Sequence, residues 1–511
     1  MTSVLAEARR ATADVAPLIA FRVAGARGRN RRRVQVGLGA LVGLLVACSV
    51  VPAVAPGAAT SERTGELVLL LPTAFLAFLG ATTFATVAAA GGRELLPRDV
   101  GVSYPVSPTT DHLGALLMAP LNIAWLLQAF SMLGLVAYVN GPRGLGFVQI
   151  TVVAWLISST VFAQLVAWGV EWIRRRPFGI AVIRLLGLAL VLLAVGLTAT
   201  NQVTNALDHS PTVDIAVTAL RGSEGFNLPW LTGTVLILLL GTASVVMGGV
   251  ASHAVARRPA RDEARVEGRY VSERPMPRSE FGAMVRLDRS AVWRSVPLRR
   301  GFMVLAALPG FVAAAGSFDW DMLPIMPGLV AAGGALLFGV NAWCLDGTGA
   351  LWRDSLPIRP DLVFAARAFV LGEMLASAIA VTLVLAAFRA PGTPTEAEVV
   401  SLVLTAVVVT LQVLARSLHW SVHRPYATDL RSARATPAPP VTMMTYSAYL
   451  ALTSTLTGMV FGITAQASSA MPALLVAMPL VILAVRRLVI TARVWGVPEA
   501  RAHVVTTVAV R

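Results

Sequence analysis

The 511-residue chain contains no lysine, only two cysteines and few charged residues. Charged side chains make up 14% of the chain, against roughly a quarter in a soluble protein, which excludes an ordinary soluble fold. A phosphate-binding loop of the form G-x-x-x-x-G-K-[ST] requires a lysine, so these residues contain no such nucleotide site. Cys48 and Cys344 both lie in apolar runs, and their spacing suggests neither a metal site nor a disulfide framework.

Long apolar runs dominate the sequence, and 56% of the residues are hydrophobic. Each run of about 18 or more residues is long enough to cross the ~30 Å hydrocarbon core of a bilayer. The pattern therefore predicts an all-α, polytopic integral membrane protein with twelve transmembrane helices. The predicted spans are 34–55, 65–91, 113–138, 145–169, 179–200, 229–255, 301–316, 324–345, 364–388, 398–416, 441–466 and 471–485. The seventh and the last are short and are expected to extend into their flanks.

The distribution of arginine predicts the orientation of these spans. Of the 42 basic residues, the predicted outer loops hold only Arg63, Arg143, Arg221 and Arg389. The positive-inside rule then predicts a multi-pass protein of the plasma membrane with both termini in the cytoplasm. The same rule explains the net charge of +15 without a nucleic-acid partner. Arg367, which falls inside a span near its cytoplasmic end, is expected to snorkel to the interface.

The two halves of the chain repeat each other. Pro105-Val106-Ser107-Pro108 recurs as Pro357-Ile358-Arg359-Pro360, each time in a polar loop after the second span of its half. Equally spaced arginines also precede the first and seventh spans. Such repetition predicts a 6+6 parallel pseudo-repeat about an axis along the membrane normal.

The predicted organisation follows from this repeat. It comprises a basic amphipathic N-terminal segment (1–33), a first six-helix half (34–255), a cytoplasmic linker with an amphipathic segment (256–300), a second six-helix half (301–485) and a cytoplasmic tail (486–511).

Each repeated loop combines an Arg-Asp pair, an aliphatic or aromatic knob, and a Pro-x-x-Pro element. Proline suits the start of the next helix because it fixes φ and needs no backbone donor there. The stretches from Glu94-Leu95-Leu96 to Ser107 and from Leu351 to Arg359 resemble the loop that follows the second helix of each six-helix unit in membrane subunits of ABC-2 type ABC exporters. That family also has an amphipathic helix before the first span of each unit, as residues 3–28 and 278–298 suggest.

The resemblance implies that these are coupling loops, which dock onto a separate ABC ATPase, one copy for each loop. ATP and Mg²⁺ would bind to that partner, and this chain would hold no cofactor, metal or catalytic residue. The cargo implied is a hydrophobic or amphipathic compound, such as a lipid, peptide or antibiotic, exported by alternating access. The candidate coupling residues are Arg93, Glu94, Arg98, Asp99, Tyr104, Pro105, Pro108, Trp352, Arg353, Asp354, Pro357, Arg359 and Pro360.

A few polar residues within the spans are candidates for a substrate path. Glu373 is the only acidic residue well inside a span, and an ionisable group near the midplane is a functional candidate. It could bind a cationic cargo, carry a proton, or be a protonated glutamate hydrogen-bonded between helices. Interhelical hydrogen bonds explain most of the weaker candidates, which are Asn122, Gln128, Gln164 and Asn341.

Two further classes remain open alongside the exporter. An ion-gradient-driven secondary transporter with twelve spans fits the topology equally well, but intramembrane carboxylates are scarce, and residues 92–101 lack the basic motif usual in major-facilitator proteins. A membrane scaffold or sensor ranks last because no soluble output domain is recognisable. His419 and His423 have a metal-compatible i, i+4 spacing, but no third ligand is evident and interfacial packing is favoured.

Overall fold

The computed structural model describes residues 9–18, 39, 42–60, 62–88, 106–119, 123–200, 202–258, 275, 277–334, 337–427, 438 and 440–509. These residues form helices and turns without a strand. Eight of the described helices are long and apolar enough to cross a bilayer. These two observations confirm the prediction of an all-α membrane protein. The chain divides into two compact units, Met1–Asp262 and Glu263–Arg511.

The first unit contains seven principal helices. Apolar helical residues Val42–Val54 precede them, and a short helix, Val203–Asp208, lies between the fifth and sixth. The principal helices are α1 (Glu62–Ala88), α2 (Pro108–Met118), α3 (Ile123–Asn140), α4 (Leu145–Arg174), α5 (Gly179–Ala199), α6 (Thr212–Arg221) and α7 (Leu228–Ala256).

Helix α4 is the centre of the first unit. In its most apolar 18-residue window 67% of the residues are buried, whereas none is buried in the corresponding window of α5. Trp155 of α4 meets Phe75 of α1 edge to face at 6.4 Å between ring centroids, and its indole N–H donates to the Phe75 carbonyl at 3.3 Å. Ser158 of α4 likewise donates to the Ile237 carbonyl of α7. Such side chain to backbone bonds hold helices together where apolar surroundings supply no alternative partner.

The second unit contains nine principal helices. The 3₁₀ segments Leu323–Ile325, Gly339–Leu345 and Gly347–Gly349 accompany them. The helices are α8 (Glu280–Arg294), α9 (Val296–Ala315), α10 (Met326–Gly334), α11 (Ala350–Asp354), α12 (Pro360–Ala387), α13 (Glu396–His423), α14 (Pro440–Ala465), α15 (Met471–Gly496) and α16 (Pro498–Ala509).

Local sequence explains where several of these helices begin. Ser279 caps α8 by accepting from the Gly282 N–H, and Thr395 forms a reciprocal capping box with Glu398 at the start of α13. Such caps satisfy backbone donors that would otherwise lack partners. Pro108 and Pro360 occupy the first turns of α2 and α12, so the prediction that the Pro-x-x-Pro elements start helices is confirmed.

Two predicted spans differ from the helices observed. The third, 113–138, corresponds to two assigned helices, α2 and α3, with 120–122 between them outside the described residues. The eighth, 324–345, is not one helix, because α10 ends at Gly334 and a 3₁₀ segment with a non-helical Asn341 (φ −148°, ψ 78°) follows. The short seventh and last spans do extend into their flanks, to Val296–Ala315 and Met471–Gly496.

Glycine allows α9 and α12 to pack closely. A Cβ built on Gly310 would lie 2.6 Å from the Thr382 carbonyl oxygen and 2.8 Å from the Leu385 Cβ. Thr382 uses this proximity to donate a hydrogen bond to the Ala306 carbonyl at 2.8 Å. The α9–α12 contact therefore depends on the absence of a side chain at position 310.

Gly310→Ala is expected to destabilise the protein by about 1–3 kcal/mol, because overpacking forces backbone displacement. Gly372→Ala is the matched control within α12, since its Cβ would meet only a Leu414 methyl at 3.6 Å, an ordinary contact. Thermal melting of the detergent-solubilised protein measures both. Equal melting temperatures for the two variants would contradict the close packing.

Candidate functional site

The second repeated loop lies between the 3₁₀ segment Gly339–Leu345 and α12. It turns at Gly347, whose φ of +48° lies in the left-handed region that favours glycine. The chain then forms the short helix α11, Ala350–Asp354, and reaches Pro360 through an extended Arg359. The loop thus presents a single helical turn immediately before a membrane-length helix.

Two large apolar side chains project from this turn. Leu351 is 55% exposed and Trp352 is 68% exposed. A tryptophan or leucine that faces water does not gain the free energy of burying its apolar surface. Tryptophan is also among the residues most enriched at binding hot spots. We call Leu351 and Trp352 the exposed knob.

Arg353 points the opposite way, into a buried group of four charges formed with Asp288, Asp346 and Arg367, which we call the ion cluster. Its side chain is 6% exposed, and that of Arg367 is 0% exposed. Arg353 Nη1 lies 2.9 Å from Asp288 Oδ1 and 2.7 Å from Asp346 Oδ1. The sequence placed Arg353 among the candidate docking residues; the structure places its charge inside the protein.

Arg367 completes the ion cluster from α12. Its guanidinium binds both oxygens of Asp288, at 2.9 and 3.1 Å, and both oxygens of Asp346, at 2.9 and 3.0 Å. It also donates to the Ala342 carbonyl. The expectation that Arg367 snorkels is wrong: two aspartates reach it within the fold, so its charge is neutralised where it lies.

The ion cluster joins three elements. Asp288 belongs to α8, Asp346 and Arg353 to the loop, and Arg367 to α12. Its formal charges balance, and each carboxylate accepts from both arginines. Buried pairs of this geometry are strongly coupled, since removal of one member leaves an uncompensated charge. A displacement of the loop is therefore transmitted directly to α8 and α12.

An aromatic stack supports the loop from the other side. Trp343 and Trp495 are parallel, with ring centroids 3.7 Å apart, and the Arg367 Cζ atom lies 5.0 Å from the Trp343 ring. The Trp495 indole N–H donates to the Pro360 carbonyl at 3.1 Å. Because Trp495 belongs to α15, the loop is connected to that long apolar helix as well.

Helix α16 lies against the loop. Arg501 Nε is 2.8 Å from Asp354 Oδ1, and Val504 and Val508 are buried. A cleft of about 50 Å³ remains between α11, the start of α12 and α16. Ligand pockets for small molecules are usually ~300–1,000 Å³, so this cleft is smaller than a typical small-molecule site.

The remaining loop candidates lie at the surface. Arg359 and Asp361 form an exposed ion pair at 2.5 Å, and hydrogen bonding to that carboxylate raises the pKa of Arg359 above its ordinary value. Pro357 is exposed. In the first loop, the structure describes Pro108, where α2 begins. Six candidates of that loop lie outside the described residues: Arg93, Glu94, Arg98, Asp99, Tyr104 and Pro105.

The described polar candidates of the predicted substrate path are divided between the two units. Gln128 is half-buried on α3 and Gln164 is buried on α4, both in the first unit. Asn341 is buried beside the ion cluster, where its Nδ2 donates to the Tyr426 carbonyl at 2.8 Å. Asn122 lies outside the described residues.

Glu373 forms an ion pair with Arg289 of α8. Its two oxygens accept from Arg289 Nε and Nη2 at 2.7 and 2.8 Å. Phe281 and Phe369 pack edge to face beside it, with centroids 5.9 Å apart. The structure therefore places Glu373 between two helices, as one of the sequence interpretations proposed. Its partner there is an arginine, with which it forms an ion pair.

The Arg289–Glu373 pair is expected to contribute about 0.5–1 kcal/mol, because its side chains are 44% and 36% exposed and such pairs are screened. A double-mutant cycle with Arg289→Gln and Glu373→Gln, using unfolding free energies in mixed micelles, measures the coupling. A coupling above about 2 kcal/mol would contradict a partly exposed pair.

The sequence reasoning missed Asp288, Asp346, Trp343, Trp495 and Arg501. Asp288 carried a signal, because it lies between the arginines at 286 and 289. Asp346 lies five residues before the repeated stretch that begins at Leu351, and no local pattern marks its partner. Their pairing with arginines far along the chain could not be read from spacing. No protein-family model, curated protein or solved structure matches the chain.

Proposed function

We propose that the protein is the transmembrane permease of an ATP-driven exporter of the ABC-2 type. The observation that carries this proposal is the exposed knob, Leu351 and Trp352, mounted on a loop that the ion cluster joins to α8 and α12. An apolar knob fits a groove on a partner protein. The rigid connection behind it suits transmission of force.

The partner in this proposal is a separate ABC ATPase, with one copy for each repeated loop. Nucleotide and Mg²⁺ bind to the ATPase, because this chain has no lysine for a phosphate-binding loop. Closure of the ATPase pair displaces the loops. The ion cluster transmits that displacement to α12, and Trp495 transmits it to α15.

The membrane arrangement in this proposal has twelve spans in two six-helix halves, with both termini in the cytoplasm. Rocking of the halves about a central axis alternates access to the two sides of the plasma membrane. The cargo is a hydrophobic or amphipathic compound, moved outwards. The apolar character of the long helices supports this cargo class.

Heterobifunctional cross-linking tests the docking of the loop. Trp352→Cys, in a background with Cys48→Ala and Cys344→Ala, provides a single thiol. A maleimide–succinimide reagent then joins that thiol to lysines of the ABC ATPase encoded beside the chain. Because the chain has no lysine, the amine-reactive end has no side-chain target within it.

Thr393→Cys is the matched control. Thr393 is exposed in the connection between α12 and α13, at the far end of α12 from the loop. We expect a conjugate from Trp352→Cys and none from Thr393→Cys. Equal labelling of the two, or no conjugate from Trp352→Cys, would contradict docking at the knob.

A further inference from the structure

The last turns of α13 carry three basic side chains on one face: Arg416, His419 and His423. The two imidazole rings are 4.1 Å apart between centroids. On α15, Arg487 lies close enough to Arg416 and His419 to interact with both electrostatically. Thr491, one turn beyond Arg487, has its hydroxyl 3.4 Å from His419 Nδ1. We call Arg416, His419, His423 and Arg487 the cationic cluster.

The positive charge in this cluster comes from Arg416 and Arg487. The groups that interact electrostatically with Arg416 are Arg487 and the Tyr446 phenol, with no carboxylate among the described residues named there. Like charges that converge repel each other more strongly as they are withdrawn from water. The arrangement therefore favours an anion that bridges them.

Two buried N–H donors on α13 have no acceptor among the residues that the structure describes. They are Arg416 Nη1 and Trp420 Nε1, which lie one helical turn apart. The Arg416 guanidinium stacks on Tyr449 at 4.5 Å, and Trp420 packs on Tyr446 at 5.1 Å. A buried donor without a partner costs free energy, so an acceptor at this point would stabilise the fold.

An arginine that only flanks a membrane span has different surroundings from those of Arg416 and Arg487. Arg486, the neighbour of Arg487, is exposed on another face of α15, as expected for a side chain that only flanks a membrane span. Arg416 and Arg487, from α13 and α15, instead lie close enough to interact electrostatically. This convergence distinguishes a binding site from simple charge flanking.

We infer that the cationic cluster binds the phosphate of an anionic phospholipid headgroup. Phosphate oxygens accept charge-assisted hydrogen bonds from guanidinium groups, and the Trp420 indole N–H adds a further donor. Helices α13 and α15 are both long and apolar enough to cross the bilayer, and the cluster lies towards their basic ends, where arginines that flank a span meet the headgroups. The inference is independent of ATP-driven transport.

Lipid titration of the full-length chain tests this site. The protein is stripped of lipid in a neutral detergent and titrated with phosphatidylglycerol, phosphatidylcholine or inorganic phosphate. Retained lipid is counted by native mass spectrometry, and the melting temperature is recorded. We expect the wild type to retain phosphatidylglycerol at least about tenfold more tightly than phosphatidylcholine, because the arginines repel the positively charged choline group of the latter.

The double variant Arg416→Gln/Arg487→Gln is expected to lose the preference for phosphatidylglycerol, whereas Arg486→Gln is expected to retain it. If the double variant fails to fold, Arg487→Gln alone serves, because its half-buried side chain has fewer contacts to lose. A preference that survives Arg487→Gln, or that Arg486→Gln lowers equally, would overturn the site. Stabilisation by inorganic phosphate equal to that by phosphatidylglycerol would overturn its assignment to a lipid.

Discussion

Arg367→Ala is expected to abolish the accumulation of folded protein. The substitution leaves Asp288 and Asp346 without their principal counter-charge in a site where Asp288 is 1% exposed. Breaking a buried charge group in this way costs about 3–5 kcal/mol, which is a large share of the ~5–15 kcal/mol that stabilises a typical protein. Fluorescence-detected size exclusion of membrane extracts, followed by thermal melting of any monodisperse fraction, measures the loss.

Two matched variants separate the buried site from charge removal in general. Arg359→Ala removes an arginine from the exposed pair with Asp361 and is expected to leave the melting temperature unchanged. Arg367→Lys keeps the charge but loses the two-pronged geometry, and is expected to be intermediate. If Arg367→Ala and Arg359→Ala had the same melting temperature, the ion cluster would not support the loop.

If the chain is the permease proposed above, Trp352→Ala is expected to weaken binding of its ATPase by roughly thirtyfold to a thousandfold. Tryptophan hot spots contribute about 2–4 kcal/mol, and every ~1.4 kcal/mol is tenfold in affinity. Since Trp352 is 68% exposed, the melting temperature of the permease alone should not change. Biolayer interferometry with the permease in nanodiscs and the purified ATPase in solution measures the dissociation constant.

Phe388→Ala is the control for that experiment. Phe388 is 74% exposed and follows α12 at the end opposite the knob, so its removal should leave the affinity unchanged. An unchanged affinity in Trp352→Ala would remove the knob from the docking surface. An equal loss of affinity in Phe388→Ala would indicate that removal of any exposed apolar side chain weakens binding.

Local signals predicted much of the structure of the second repeated loop. A Pro-x-x-Pro element predicted where α12 begins, because proline constrains its own backbone and the preceding residue. An aromatic knob before it predicted an exposed contact, and Trp352 is exposed. These features depend on residues within one or two turns, so a sequence expresses them directly.

The support beneath the loop could not be predicted in the same way. Asp288 and Arg367 are far apart in sequence, and a basic helix next to a membrane span ordinarily indicates interfacial arginines. The eighth span was predicted as one stretch because hydropathy counts apolar residues and is insensitive to a backbone break such as the one at Asn341. In each case tertiary partners override the local pattern.

Purification of the tagged wild-type chain from its own membranes tests the central claim most directly. A mild detergent extract is analysed by mass spectrometry for co-purifying subunits and by assay for ATP hydrolysis. The permease proposal predicts an ABC ATPase, about two copies for each chain, that hydrolyses ATP in the complex. Absence of any ATPase, together with transport that follows a proton gradient and stops in Glu373→Gln, would contradict it and establish an ion-driven transporter instead.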